Sequence, residues 1–179
     1  MTYSMEEHQD RLAAWAAGRA AFRGVLGGKV KKCRELLKAC EIDAQFGLTS
    51  FKVDVSAFDE QHRLRCEKLI RQAGNSVKLT HGRAAKILNV YLKVRFVYGG
   101  GNSSDPIIGF IHPPIDRVLL TTLARDDVGG FGTEWRKDIK KGWSQFDFMD
   151  YQQIINRMRQ HVGSAPLWTI EEYWSGYQW

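Results

Sequence analysis

The sequence lacks most of the signatures by which catalytic chains are recognised. It has three cysteines, Cys33, Cys40 and Cys66, and no CxxC pair. An odd count without that spacing excludes a four-cysteine zinc or iron–sulfur site within one chain and argues against a disulfide framework. The five histidines, His8, His62, His81, His112 and His161, are scattered, with no HExxH or HxH pair. No metal or cofactor is therefore expected. There is no GxxxxGK[ST], GxGxxG or GxSxG, so neither a phosphate-cradling loop nor a nucleophile elbow is expected. No apolar run reaches the ~18 residues of a membrane span. The opening "MTYSMEEHQDRLAAW" carries acids where a secretory signal needs bases. These absences read as a soluble protein of a reducing cytoplasm, with no membrane partner.

What is present is an ordinary globular composition with a basic excess. Hydrophobic residues make up 44% and charged residues 26% of 179, which suits a single domain spanning residues 1–179. The formal net charge is +6, a balance that favours acidic partners, nucleic acid first. Lys29, Lys31, Lys32 and Arg34 form the densest basic cluster, either a phosphate contact or a solvated helix face. Aromatics crowd the end of the chain in "PLWTIEEYWSGYQW". Such residues stack on bases in some proteins, but more often they anchor a terminal segment on the core.

Capping signals and glycines predict an all-α chain of six to eight helices. Ser4 with Glu7 reads as a capping box opening the first helix, and the cluster Gly24, Gly27 and Gly28 closes it. A basic helix follows through "KVKKCRELLKACE", with Cys33 and Cys40 on one face. "FKVDV" alternates and reads as a short strand or extended link. Ser56 and Asp59 signal the next helix start, and Gly74 its end. A long central helix is predicted from about Arg83 to Tyr98, preceded by a turn at Gly82. "GGGNSSDP" reads as a loop. "HPPIDRVLLTTLAR" then starts a helix near Pro114, with Asp116 in its first turn. Asp147 is expected to cap "FMDYQQIINRMRQHV", and Thr169 with Glu172 to form a last capping box. "TEWRKDIKKGWSQF" reads either way. Arg157 and His161 lie one turn apart, a pairing seen in some ribonuclease sites and common by chance.

Within the apolar central helix, Lys86, Asn89 and Lys93 share one face. Lys86 lies near the start of that helix, and Asp116 lies near the start of another. A lysine amine of lowered pKa can attack a sugar C1′, and a carboxylate can stabilise an oxocarbenium-like sugar or activate water. On these residues the chain resembles the helix-hairpin-helix DNA glycosylase superfamily. The matching stretches are "LTHGRAAKILN" (Leu79 to Asn89) and "PPIDRVLLTTLAR" (Pro114 to Arg125). Asp116 with Leu123, Ala124 and Arg125 looks like the aspartate helix of the adenine-mismatch members.

The resemblance implies an all-α fold that holds DNA at the hairpin and excises a flipped base. It makes Asp116 and Lys86 the catalytic residues. It places Thr80, His81, Gly82, Arg83, Lys93 and Arg117 against the DNA. The sequence lacks the fourth cysteine of the iron–sulfur variant and departs from the family pattern in three further ways. Thr80 and His81 stand where the family has Pro-Gly. Lys86 falls one or two places after the family's lysine, so Ala84 or Ala85 occupies that position, which describes a monofunctional enzyme. The stretch to Asp116 is long, with the glycine-rich segment as an insertion. A second reading stays open: Asp116 caps its helix and pairs with Lys86 or Lys93 as a structural ion pair, in a non-catalytic helical module that binds nucleic acid or a protein.

Overall fold

Small side chains decide how the first helix packs. In a computed structural model that describes residues 3–25, 27–42, 55–98 and 106–177, α1 (Met5–Ala21) buries Ala13, Ala14, Ala17, Gly18 and Ala21 along one stripe. A Cβ on Gly18 would lie 3.0 Å from the Val30 Cα and 3.1 Å from the Cys33 Cβ. The stripe therefore lets α2 (Val30–Ala39) approach almost to backbone contact. Ser4 caps α1 by accepting the Glu7 N–H at 3.1 Å. The Glu7 carboxylate turns instead to Arg11 and Arg34. The basic cluster accordingly divides: Arg34 is neutralised against α1, while Lys29 and Lys31 stay exposed and Lys32 partly so.

Eight α-helices and no strand occur among the described residues. After α2 come α3 (Val55–Ala73) and α4 (His81–Leu92), which continues as a π-helical turn over Lys93–Tyr98. Then follow the short α5 (Pro106–Phe110), α6 (Arg117–Arg125), α7 (Gly132–Lys141) and α8 (Phe148–Val162). A 3-10 segment, Leu167–Tyr173, lies near the end of the described chain. The chain is thus all-α, as its caps and glycines predict. None of its described helices is long and apolar enough to cross a membrane. "FKVDV" and "GGGNSSDP" lie, except for Val55 and Pro106, outside the described residues.

Helix α4 is the centre. Ten of its residues, from His81 to Leu92, are buried, the pattern of a helix enclosed on all sides. It packs on α1, α3 and α8. The surrounding core draws Phe58, Cys66 and Leu69 from α3, Leu119, Leu120 and Leu123 from α6, Trp135 from α7, and Ile154, Ile155 and Met158 from α8. Cys33, Cys40 and Cys66 are all fully buried free thiols, and burial pushes the Cys33 thiol up to about 12.

Four local expectations are corrected by the structure. Helix α6 begins at Arg117, because the Pro113–Pro114 pair holds the chain extended; Asp116 is its N-cap and not a first-turn residue. Asp59 lies inside α3, where its carboxylate is taken by Arg159 rather than by a helix start. Thr169 forms no capping box: its hydroxyl donates to the Pro166 carbonyl, and the segment is 3-10 rather than α. The end of the central helix is π rather than α. Asp147, by contrast, caps α8 in a full capping box with Asp150.

Candidate functional site

The polar stripe of α4 meets the "HPPID" segment that leads into α6. Lys86 Nζ donates to Asp116 Oδ2 at 2.8 Å, across 30 residues of chain. The lysine side chain is 5% exposed and the aspartate 22%, so the pair sits at the rim of the core with its acidic end toward solvent. Asp116 Oδ1 accepts the Leu119 N–H at 2.9 Å. This is the N-cap bond that keeps the carboxylate at the positive end of α6. Trp174 Nε1 adds a donor to Asp116 Oδ2 at 3.2 Å. Lys86 Nζ lies 5.2 Å from the centre of the Trp143 ring. Burial lowers the lysine pKa from its ordinary value more than Asp116 and Glu171 raise it.

One turn along the stripe, Asn89 is fully buried and organises a chain of donors and acceptors. The Cys66 thiol lies 3.7 Å from His62 Nδ1, and His62 Nε2 lies 2.7 Å from Asn89 Oδ1. The Asn89 amide donates to the Pro113 carbonyl and to the Tyr151 hydroxyl, both at 2.9 Å. Tyr151 reaches His112 Nδ1 at 2.9 Å, and His112 Nε2 reaches Asp59 Oδ1 at 2.9 Å. Burial pushes the Asp59 carboxyl up, but Arg159 and His112 more than offset it and hold the group well below the usual carboxylate range. An ionised Asp59 accepts only, so His112 carries its proton on Nε2 and accepts from Tyr151 on Nδ1. Burial lowers the pKa of both His62 and His112 from the ordinary histidine value. The chain clamps the "HPPID" segment at His112 and Pro113, immediately before Asp116.

The third residue of the stripe, Lys93, pairs with Glu171 of the 3-10 segment. The two side chains are 18% and 16% exposed and form part of the lining of a cleft of about 650 Å³. A 3-10 helix has three residues per turn, so Trp168 and Glu171 share an edge, and both face this cleft. Trp174, three residues further on, reaches Asp116.

The remaining site residues expected from the sequence fall in two places. Thr80 caps α4 through the Arg83 N–H and donates its own hydroxyl to the Ser144 carbonyl at 2.8 Å. Gly82 N donates to the Phe146 carbonyl at 3.0 Å. His81 is buried against Phe148 and Tyr151, and Arg83 donates to the Ala21 carbonyl and lies over Trp143. The segment from Trp143 to Phe146 therefore lies directly on the start of α4, taking up hydrogen-bonding groups of the turn. Arg117 stands exposed on α6, next to Asp116.

Sequence reasoning did not find Asn89's partners, Asp59's role, Glu171 or Trp174. Asn89 was visible as the uncharged member of the stripe. The others carry no local signal, because their partners lie 53 to 100 residues away. Arg157, set one turn from His161 in the sequence, pairs with Asp138 and lies over the Trp135 ring, while His161 contacts Tyr173. Among the described residues no group of three or more His, Cys, Asp or Glu side chains is placed to hold a metal ion. Compared with known proteins, this chain matches no protein-family model, no curated protein and no solved structure.

Proposed function

We propose that this protein is a DNA base-excision protein of the glycosylase kind, acting on a flipped base with Asp116 and Lys86 at its centre. The observation that carries the reading is the direct contact between the two groups: Lys86 Nζ lies 2.8 Å from Asp116 Oδ2 at the start of a helix. A carboxylate held there stabilises positive charge developing on a sugar, or orients water toward C1′. A lysine whose pKa is lowered by burial has more of the neutral amine that attacks C1′. Two tryptophans, Trp143 beside the lysine and Trp174 beside the aspartate, offer flat apolar surface next to the pair. The net charge of +6 favours the polyanionic partner.

The test is incubation with duplexes that each carry one lesion, followed by alkaline cleavage at abasic sites. Cleavage is expected with the wild-type protein and is lost in Asp116→Asn, whose amide oxygen retains the cap. Borohydride trapping then assigns Lys86: an adduct that vanishes in Lys86→Gln makes the lysine the nucleophile. Excision without an adduct makes the enzyme monofunctional. Failure to release any base would reject the reading.

A second reading is favoured by a different observation. The N-terminal turn of α4 is packed under Trp143–Phe146, and Lys86 is nearly enclosed. In that reading the pair is a register-fixing ion bridge, and the protein is a non-catalytic helical module that binds nucleic acid or a protein.

A further inference from the structure

The cleft beside the π-helical turn adjoins the Lys86–Asp116 pair but is lined by neither of those residues. Its walls are apolar: Val97, Ile108 and Pro166, with the rings of Tyr98 and Trp168. Trp168 is 38% and Tyr98 70% exposed, so each ring has open surface. Its polar groups are the Lys93–Glu171 pair, together with Thr169 and Glu172. A volume of about 650 Å³ lies within the range of small-molecule sites. The π turn matters here. Its wider turn, closed by i→i+5 bonds and frequent at functional sites, brings Lys93, Val97 and Tyr98 onto the same cleft.

We propose that this cleft binds a planar heterocycle through a lactam edge, with a ring carbonyl against Lys93 and the adjacent ring N–H against Glu171. The donor inventory fits. An ammonium has three N–H groups, and a carboxylate has two oxygens with about four acceptor directions. The Lys93–Glu171 bond uses one of each. The Tyr98 ring, whose centroid lies 5.1 Å from Lys93 Nζ, takes a second side of the ammonium. A donor and an acceptor remain side by side, which is the complement of an acceptor next to a donor on a flat ring. The aromatic walls supply stacking for its faces. Oxo-nucleobases carry this edge, whether free as nucleosides or on a strand.

The experiment compares inosine with 1-methylinosine by isothermal titration, first as free nucleosides and then as the one such base in a short single-stranded oligonucleotide. Methylation deletes the ring N–H and sets a methyl group against the carboxylate. It is expected to weaken binding by at least about tenfold, as loss of a hydrogen bond to a buried charge does. Dependence on the N–H with free nucleosides identifies a small-molecule ligand; dependence only on the strand identifies a nucleic-acid base. Gly109→Val is expected to abolish binding with the fold intact. Gly109 lines the cleft, and a Cβ there meets nothing closer than Pro166 at 3.9 Å. Equal affinity for the methylated nucleoside, no binding in either form, or binding that survives Gly109→Val would each overturn the proposal. None of these readings requires excision, so each proposal can fail without the other.

Discussion

His81 gives the sharpest test of the buried polar seam. The residue is 7% exposed, and its Nε2 has no hydrogen-bond partner among the described residues. Its ring centroid lies 5.5 Å from that of Phe148 and 5.4 Å from that of Tyr151. Burial lowers its pKa to about 4, with Arg63 and His112 acting in the same direction and Glu67 and Asp147 against it. In the unfolded chain the group titrates near ~6.5. Between those two values the unfolded state binds a proton that the folded state does not, so stability falls as pH falls through this window. From pH 6.5 to pH 5 the loss is about 2 kcal/mol, and it approaches about 3 kcal/mol near pH 4. His81→Phe removes this contribution and leaves the other histidines in place. Urea unfolding followed by tryptophan fluorescence at pH 7 and pH 5 measures it. At pH 7 the variant should lie within about 1.5 kcal/mol of wild type, as size-matched core exchanges do. At pH 5 it should have lost about 2 kcal/mol less. Identical pH dependence in the two proteins would refute the assignment of a buried, neutral His81.

The Lys86–Asp116 pair should respond asymmetrically to truncation. Asp116→Ala strands a nearly enclosed ammonium and removes a helix cap, so a loss of about 3–5 kcal/mol is expected by chemical denaturation. Lys86→Met leaves a partly exposed carboxylate still bonded to Leu119 N and Trp174 Nε1 and should cost less than half as much; equal costs would contradict the burial pattern. Gly82→Ala puts a Cβ 2.0 Å from the Trp143 carbonyl and should cost on the order of 3 kcal/mol or prevent folding, and a neutral thermal shift would show that the 143–146 segment does not sit on the turn. If the protein binds DNA by neutralising ~4 phosphates, log K should fall against log salt with a slope of roughly −3 to −4; affinity indifferent to salt would remove the electrostatic basis for the reading.

Local chemistry made the helices legible. Ser4, Asp147 and the glycines after helix ends carry their message in adjacent residues, and α1 and α8 follow from them. The proline pair reads in the sequence as the first turn of a helix, whereas it holds the chain extended, moves the start of α6 to Arg117 and makes Asp116 a cap. The stripe on α4 announced that Lys86, Asn89 and Lys93 needed polar company. Only the first received its eventual partner, because Asp116 stood out at a helix start. Asn89 meets His62, Pro113 and Tyr151, and Lys93 meets Glu171. Those pairings depend on how helices cross, a property of shape that no local window contains.

The long reach of these pairings has a consequence for how the chain is made. Asp59 takes its guanidinium partner from a residue 100 positions later, and Lys93 takes its carboxylate from one 78 positions later. At a ribosomal rate of about 5–20 residues per second, the first separation alone corresponds to about 5–20 s of synthesis. During that interval the stretch up to Lys93 lacks the groups that neutralise its inward-facing charges. Those groups must stay hydrated, so the central helix cannot be sealed early. Its enclosure awaits α8 and the 3-10 segment, so a later stretch of the chain completes an earlier stretch's interior.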